Sequence, residues 1–462
     1  MNRVAWLLGL LLFGTYAFFH YEGGFNQNVR FDLTRAVVER GTVVIDAYHE
    51  NTLDKAYRDG HYYADKPPGA SFLAVPGYFV FHRILRWLGA DPTTREAQRW
   101  GFYVARVTSV AAMGAVAGMI FLRVIAPLVP PGWGLLSTVG LGLATLAFPY
   151  STVFYGHQIA ATTLFFAFVV LFAHRRRERQ SGAALAVAGA AAVVAGIADY
   201  AAFLPAALLG VYLLTGPAPG RTAVWFLAGA MPPAVGLLAY HAICFGSPLS
   251  TGFAHEAFPF WRAKYGAGFY GIAWPRPAAL FQLTFGGQRG LFYQAPWLLL
   301  CIPGLWQLIG VRRWRAEGIL IPGILGTMLA FNASLHSWEG GWTMGARYLI
   351  PAVPFLAFAA AFGRGRIVAV GAAVLLPLSL LFMLAGAAVK PEVPVLFADP
   401  LRDVLLPSFF DGTLSLADPG GEAFNLGERV AGLRGLWSLL PLVAFWTVGA
   451  IAIRAALLRR PP

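Results

Sequence analysis

HYEGGFNQNVRFDLTRAVVERGTVVIDAYHENTLDKAYRDGHYYADKPPG, residues 20–69, is a polar stretch between two strongly apolar segments, and this contrast decides the fold. Its ionisable side chains include Asp32, Asp46, His49, Asp54, Lys55, Asp59, His61, Asp65 and Lys66. Ionisable groups crowded beside an apolar segment lose hydration unless water or a ligand contacts them, so they indicate a functional site. We therefore predict that this stretch forms the functional face of a membrane-embedded protein.

The composition of the whole chain is that of a membrane protein. Of its 462 residues, 58% are hydrophobic and only 12% are charged, whereas a soluble domain carries about 25% charged residues. Apolar runs long enough to cross a bilayer, roughly 18–25 residues, recur along the chain. The net charge of +13 comes from short arginine clusters and not from a basic patch interleaved with aromatic residues, so we expect no nucleic-acid partner. The predicted fold class is an all-α polytopic membrane protein.

The first apolar segment, residues 1–19, is predicted to be an uncleaved transmembrane helix. It has the charge and apolar run of a signal peptide, but Phe18, Phe19 and His20 occupy the place of a small-residue cleavage site. Arg3 places the N-terminus in the cytoplasm, so residue 20 emerges outside. The other cytoplasmic markers are the arginine-rich segments 174–179, 312–315, 364–366 and 454–460.

The spacing of these markers predicts which apolar segments cross the membrane. An even number of spans must separate Arg3 from the cluster at 174–179, but five apolar candidates lie between them. The weakest candidate is 69–88, which Pro76 and Arg83 interrupt, so we predict a juxtamembrane helix along the outer interface. The result is about twelve spans with both termini in the cytoplasm.

The predicted organisation is a single integral membrane domain, 1–462, because neither a repeat period nor a separate soluble segment appears. Its parts are the first transmembrane helix (1–19), an outer loop with juxtamembrane helices (20–101), transmembrane helices with outer loops 245–288 and 336–347 (102–389), a last outer loop (390–433), and the last transmembrane helix with a cytoplasmic tail (434–462). The unusual polar residues then converge on the outer face.

Carboxylates that face Arg, Lys and His at a membrane surface suit the transfer of a group from a lipid phosphate to a hydroxyl. A carboxylate takes the proton of the acceptor, and cations hold the phosphate as negative charge develops on it. Arg grips phosphate through two parallel N–H bonds, and Lys acts as a point charge. The pattern alone locates the site and leaves the reaction open.

The segment YADKPPG (63–69) resembles a motif of the GT-C superfamily of polyprenyl-phosphate-sugar glycosyltransferases. The resemblance is to the protein O-mannosyltransferase and aminoarabinose transferase branch, in which Y-x-x-K-P-P closes the first outer loop before a juxtamembrane helix. Further similar segments are FPYSTVFYGH (148–157), FGSPLSTGF (245–253), RGLFYQAPWLLL (289–300), WEGGWTMGARYLIP (338–351) and FNLGERVAGLRGLWSLLPL (424–442). The resemblance therefore covers nearly the whole chain.

The resemblance implies a GT-C-like fold and an inverting glycosyltransferase that takes a sugar from a polyprenyl-phosphate donor in the lipid bilayer. The acceptor would be a lipid, a glycan or a protein, and the expected location is a bacterial inner membrane with the active site facing the periplasm. The expected contacts of the donor phosphate are Lys55, Lys66, Arg289 and Arg347. A divalent metal, Mg²⁺ or Mn²⁺, is an option because many GT-C enzymes use one, although no tight carboxylate cluster in the sequence argues for it.

One position departs from the family pattern. Transferases of this branch carry an acidic pair just after the first span, where this chain has Asn-Gln-Asn at 26–28. A catalytic base must then come from elsewhere in the loop, and we predict Asp46 or Asp54, with Asp65 third. Asp65 has an equal claim as an ion-pair partner of Lys66. Acceptor-side or supporting roles are expected for His61, Tyr63, His157, His336 and Glu339.

Two other classes of function stay open at this point. A transporter or flippase for a lipid-linked or anionic substrate predicts ionisable residues deep in the spans, broken helices and internal repeats, whereas the charges here lie mainly at span ends. A non-catalytic lipid-binding relative is the third hypothesis, and the missing acidic pair at 26–28 favours it.

Overall fold

The computed structural model describes residues 2–176, 181–266, 270–418 and 420–458, and these are mostly helical. The helices are α1 (Asn2–Ala17), α2 (Phe25–Arg40), α3 (Gly69–Trp87), α4 (Arg95–Arg106), α5 (Ala112–Ile125), α6 (Pro131–Leu143), α7 (Ala147–Tyr150), α8 (His157–Arg175), α9 (Gly182–Ala198), α10 (Phe203–Leu214), α11 (Pro219–Phe245), α12 (Pro259–Gly266), α13 (Pro277–Thr284), α14 (Leu291–Gln294), α15 (Cys301–Gly310), α16 (Arg315–Ser334), α17 (Val353–Ala361), α18 (Arg366–Val389), α19 (Leu406–Phe410), α20 (Leu426–Arg429) and α21 (Leu440–Leu458). The strands are β1 (Phe19–Tyr21), β2 (Ala56–Arg58), β3 (His61–Tyr63) and β4 (Ala423–Asn425). The predicted all-α class is confirmed.

Within the described ranges, six helices are long and apolar enough to cross a membrane. They are Arg95–Ile125, His157–Arg175, Pro219–Phe245, Arg312–Ser334, Arg366–Val389 and Gly435–Leu458. Shorter apolar helices follow at Gly182–Ala198, Tyr200–Leu214, Pro296–Gly310 and Arg347–Ala361. The chain is therefore a multi-pass membrane protein. The count of twelve spans and the side that each loop faces stay predictions, and the arginines at 177, 179, 459 and 460 lie outside the described residues.

The segment predicted to lie along the outer interface forms α3, which is not among the long apolar helices. Ala74 and Tyr78 are buried on one face, while Val80 and Trp87 are exposed on the other. An amphipathic helix of this kind is typical of the membrane surface. The placement of α3 at that surface stays a prediction.

Arg106 is fully buried inside the long helix that begins at Arg95, earlier than the predicted start at 102. Its guanidinium donates hydrogen bonds to the carbonyls of Tyr16, Phe19 and Ser151, at 2.7–3.1 Å. The carbonyls at the end of a helix lack partners within that helix. Arg106 therefore caps the end of α1 and joins it to the neighbouring segments.

The polar stretch 20–69 folds as a helix followed by a hairpin. Helix α2 ends where Gly41 adopts a left-handed conformation, with φ of 64°. Strands β2 and β3 are joined by Asp59 and Gly60, both with positive φ, as a two-residue hairpin turn requires. A small separate core packs these elements against the end of α11, and it contains Val29, Leu33, Ala36, Ile45, Ala56, Tyr63, Ala64, Tyr240, Cys244 and Phe245.

Two further contacts fix this stretch against the rest of the chain. Strand β1 pairs antiparallel with β4, so the start of the first outer loop lies beside the last one. Gly69, the first residue of α3, packs against the backbone of Ala198 so closely that a Cβ would overlap with it. The glycine of the motif at 63–69 is therefore required for the close approach of α3 to α9.

Candidate active site

Lys66 lies between two carboxylates after the hairpin. Its Nζ is 3.2 Å from Asp54 Oδ2 and donates a hydrogen bond to Asp65 Oδ2, and all three residues are buried. Burial by itself lowers the pKa of Lys66, but the charges of Asp54 and Asp65 outweigh it and raise that pKa well above its usual value. Lys66 therefore keeps its positive charge, and Asp65 is its ion-pair partner.

Asp54 lies farther from the ammonium of Lys66 than Asp65 does. Among the described residues, no hydrogen bond reaches its Oδ1, while its Oδ2 contacts Lys66. Burial raises the pKa of Asp54, and the charge of Lys66 opposes this rise. A carboxylate with a raised pKa is a stronger base, so Asp54 has the chemistry of a proton acceptor.

A further carboxyl faces this cluster from the loop after α11. Glu256 is 1% exposed, and neither of its oxygens has a hydrogen-bond partner among the described residues. Burial and the neighbouring Asp65 raise its pKa to about 11, so Glu256 is neutral at pH 7. Within the described part of the chain, Asp65 Oδ1 is also buried without a hydrogen-bond partner. The single lysine thus balances two buried charges and not three.

Gly252 allows this loop to lie directly against the cluster. A Cβ at this position would overlap with the backbone of Asp65. We expect Gly252→Ala to lower the free energy of unfolding by about 1–3 kcal/mol, as overpacking of a core does. Thermal unfolding of the purified protein measures the change. Gly236→Ala is the matched control, because that glycine has open space around it; equal unfolding temperatures for the two variants would contradict the close packing.

Arg347 approaches from the loop before α17. Its guanidinium lies over the rings of Tyr155 and Tyr348, 5.2 Å from each centroid. In the described part of the chain no carboxylate lies within 4 Å of it, and its Nε is buried without a partner. Its charge nevertheless opposes the rise in the pKa of Asp54 that burial causes. An arginine near the cluster whose donors are not used by a carboxylate is available for an anion.

Arg289 is fully buried, and its N–H groups bind backbone carbonyls. Nε donates to Glu339 O at 2.8 Å, Nη1 to Gln288 O at 2.8 Å, and Nη2 to Gly341 O at 3.0 Å. These bonds use three of the five N–H groups, so the predicted phosphate contact would have only the other two on a fully buried side chain. The geometry instead gives Arg289 a structural role, in which it fixes the loop that carries Arg347. Glu339 contributes its carbonyl to this contact, and its side chain is half-buried.

His157 lies on the same side of the site as Arg347. Its Nδ1 is 2.7 Å from Asp199 Oδ2, and both side chains are buried. The imidazole packs against Tyr155 and Tyr348, the rings that also contact Arg347, with centroids 5.6 and 5.5 Å away. Asp199 therefore orients His157 beside the tyrosines of the site.

Several predicted site residues lie outside this buried cluster. Asp46 accepts hydrogen bonds from Tyr62 N at 2.6 Å and pairs with His61 Nδ1 at 2.7 Å, on the exposed side of the hairpin. Lys55 binds the carbonyl of His49 at 2.6 Å. These residues stabilise the hairpin surface, and their side chains are not brought to Lys66.

Tyr63 and His336 are also placed apart from the cluster. Tyr63 belongs to β3 and packs against Phe245 in the small core. His336 is exposed, and its backbone N–H donates to Gly271 O at 2.8 Å. Both residues support the loops that surround the site.

The sequence analysis missed Glu392 and Gln27. Glu392 is a buried carboxylate that accepts a hydrogen bond from Gln27 Nε2 at 2.6 Å and another from the hydroxyl of Tyr155. Burial raises its pKa to about 7. A lone acidic residue just after an apolar run was the available signal for Glu392, whereas nothing in the sequence marks Gln27 as its partner.

The residues of the site do not fit the divalent metal considered above. Among the described residues, no group of three or more His, Cys, Asp and Glu side chains is arranged to hold a metal ion. The nearest carboxylates, Asp54 and Asp65, already bind the ammonium of Lys66. We therefore derive no step through a metal.

No family model and no curated protein matches the chain. Among solved structures, it is similar to ArnT from Cupriavidus metallidurans in the apo state, with a TM-score of 0.49 and 17% identity over 97% of this chain and 74% of that chain. It is also similar to ArnT from Cupriavidus metallidurans bound to undecaprenyl phosphate, with a TM-score of 0.47 and 18% identity over 99% of this chain and 76% of that chain. The chain is thus similar to these structures over nearly its whole length, and the roles of its residues rest on the geometry above.

Proposed function

We propose that the chain is a membrane glycosyltransferase that moves a sugar from a polyprenyl-phosphate donor to a lipid, glycan or protein acceptor. The observation that supports this most is the combination of two cations, Lys66 and Arg347, beside the buried carboxylate of Asp54, with no carboxylate of the described residues paired to Arg347. A lipid phosphate requires cations as it leaves, and an incoming hydroxyl requires a base. This site offers both.

In the proposed reaction, the acceptor oxygen attacks the anomeric carbon of the sugar while the bond from that carbon to the phosphate oxygen breaks. The phosphate approaches Lys66, whose ammonium turns from Asp54 towards the phosphate oxygens. Asp54 then takes the proton of the acceptor, and Lys66 and Arg347 stabilise the negative charge on the leaving polyprenyl phosphate. A single displacement of this kind inverts the configuration at the anomeric carbon.

The proposed location is the outer face of a bacterial inner membrane, with the site open to the periplasm. The contributing residues come from 20–69, 245–288, 336–347 and 390–433, all of which the arginine distribution predicts to lie on one side. A lipid-linked donor would reach them from the bilayer.

The partners of two charged residues buried within the helices argue against a transporter. The hydrogen bonds of Arg106 go to the backbone carbonyls of Tyr16, Phe19 and Ser151, and Glu317 accepts a hydrogen bond from the hydroxyl of Tyr212 at 2.6 Å. A transport path needs ionisable groups that face a passage through the protein. These two groups face neighbouring helices and tie them together.

Lipid mass spectrometry on membranes of a deletion strain tests the proposal. We expect a polyprenyl-phosphate sugar to accumulate and a glycan to lose that sugar, and we expect the wild-type gene to reverse both changes. In vesicles, the purified protein should release free polyprenyl phosphate from a lipid-linked donor. Unchanged lipid-linked sugars in the deletion strain, with movement of intact donor across vesicles, would favour the transporter instead.

A further inference from the structure

Glu392 is a buried carboxylate that the proposed reaction does not use. It follows the end of α18 and is 3% exposed. Its Oε2 accepts a hydrogen bond from Gln27 at 2.6 Å, and its Oε1 accepts one from the hydroxyl of Tyr155. Gly24 packs directly against it, since a Cβ there would overlap with the carboxylate. The position of the carboxylate is therefore fixed by three neighbours.

Gln27 is itself oriented by the backbone. Its Oε1 accepts a hydrogen bond from Phe154 N at 2.7 Å, so its Nε2 must be the atom that faces Glu392. Phe154 directly precedes Tyr155 in the chain. Gln27 and Glu392 together tie α2 to the segment that carries Tyr155.

The backbone around this carboxylate is also bound to the loop that leads to Arg347. Thr343 N donates to Val393 O at 2.9 Å, and Met344 N donates to Pro391 O at 2.8 Å. The two hydrogen bonds lie on either side of the carboxylate in the chain. A shift of this segment would therefore shift the loop before Arg347.

Arg347 contacts the ring of Tyr155, the residue whose hydroxyl binds Glu392. The distance of 5.2 Å from its guanidinium carbon to the ring centroid is within the range of a cation–π contact. A direct ion pair would occupy the N–H groups that an anion needs, whereas a ring contact leaves them available. The ring can hold the guanidinium only if Tyr155 is itself held, and its hydroxyl is bound to Glu392.

We propose that Glu392 is a positioning residue that fixes Arg347 for the donor phosphate, through the hydroxyl of Tyr155 and through the backbone of the loop before Arg347. This inference rests on the proposed function, because that function assigns Arg347 to the phosphate. Both oxygens of Glu392 already accept hydrogen bonds, one from Gln27 and one from Tyr155, so we assign it no contact with the phosphate. Its effect on binding therefore passes through Tyr155 and through the backbone of the loop before Arg347.

A double-mutant cycle of Tyr155→Phe and Glu392→Asp tests this chain of contacts. The first variant keeps the ring and removes the hydroxyl, and the second keeps the charge but is too short to reach both donors. We expect each to weaken binding of undecaprenyl phosphate to the purified full-length protein by about tenfold, and the double variant to be no weaker than either. Tyr293→Phe is the matched control, because its hydroxyl binds Asp399 at 2.7 Å outside the site, and its affinity should equal that of the wild type.

Wild-type affinity in both single variants, or a double variant about a hundredfold weaker, would overturn the inference, since independent residues add in free energy. Labelling of Arg347 by phenylglyoxal, followed by peptide mass spectrometry, needs no lipid. We expect it to be severalfold faster in Tyr155→Phe and Glu392→Asp than in the wild type and in Tyr293→Phe. A wild type that binds no undecaprenyl phosphate would contradict the proposed function, while equal labelling rates would contradict the role of Glu392.

Discussion

Asp54→Asn is expected to lower the turnover of sugar transfer by about 10²–10⁴-fold, the range that a general base contributes. Asparagine fills the same space but cannot take a proton from the acceptor. Lys66 keeps its ion pair with Asp65 in this variant, so folding and membrane insertion should persist. Single-turnover transfer from a purified polyprenyl-phosphate sugar measures the effect, and gel filtration with thermal unfolding verifies the fold.

Asp46→Asn is the matched control for this prediction. Asp46 is half-exposed on the hairpin, where both of its oxygens bind Tyr62 and His61. Surface substitutions change free energies by only about 0.5 kcal/mol, so turnover should stay within about twofold of the wild type. A loss at Asp46 that equals the loss at Asp54, or wild-type turnover in Asp54→Asn, would show that the base is another residue.

The difference between these two aspartates could not be read from the sequence. Both lie in the same polar stretch, and both follow apolar residues. Their burial depends on the packing of the hairpin against α2, α11 and the loop that contains Gly252, all of which are long-range contacts. The sequence therefore limits the candidate bases to this loop, and tertiary packing distinguishes the buried candidate, Asp54, from the exposed one, Asp46.

The helices were predictable for a different reason. Apolar runs are local in sequence, and a bilayer requires backbone hydrogen bonds within the segment, so the predicted transmembrane region 102–389 is mostly helical and the predicted first span, 1–19, contains α1 (Asn2–Ala17). The weak candidate at 69–88 was separated from the spans by its charges, and it forms α3. The helix that begins at Arg95 starts before the predicted boundary at 102, and it includes Arg106, whose guanidinium binds carbonyl groups.

The membrane topology predicted from the sequence does not distinguish the roles of Arg289 and Arg347. Arg289 and Arg347 were both predicted to bind phosphate because both lie in outer loops. In the structure, backbone carbonyls accept hydrogen bonds from three of the five N–H groups of Arg289, whereas Arg347 is held by aromatic rings. Topology gives the side of the membrane, but only the count of satisfied hydrogen-bond donors distinguishes a structural arginine from one that is available to a ligand.

Lys66→Met is expected to abolish detectable binding of polyprenyl phosphate and to destabilise the protein. Methionine has a similar length but leaves Asp54 and Asp65 without their shared cation in a buried site. Removal of one partner of a buried ion pair costs about 3–5 kcal/mol, although protonation of one carboxylate reduces the loss. Thermal unfolding at pH 5 and pH 8 measures this, and the destabilisation should be larger at pH 8, where the unpaired carboxylates are harder to keep neutral.

Lys55→Met is the control for Lys66→Met. It removes a positive charge from the same stretch without removing a cation of the candidate site. Lys55 is the next cation along the hairpin, but its ammonium binds the carbonyl of His49 on the outer side and not the carboxylates of the cluster. Each variant loses one positive charge from the same stretch, so the long-range attraction of the protein for an anion decreases by a similar amount in both. If Lys66 binds the phosphate directly, only Lys66→Met loses affinity and gains a pH-dependent defect. Equal losses in both variants would mean that the phosphate responds to the overall charge of the loop, and Lys66 would then be a structural partner of Asp54 and Asp65.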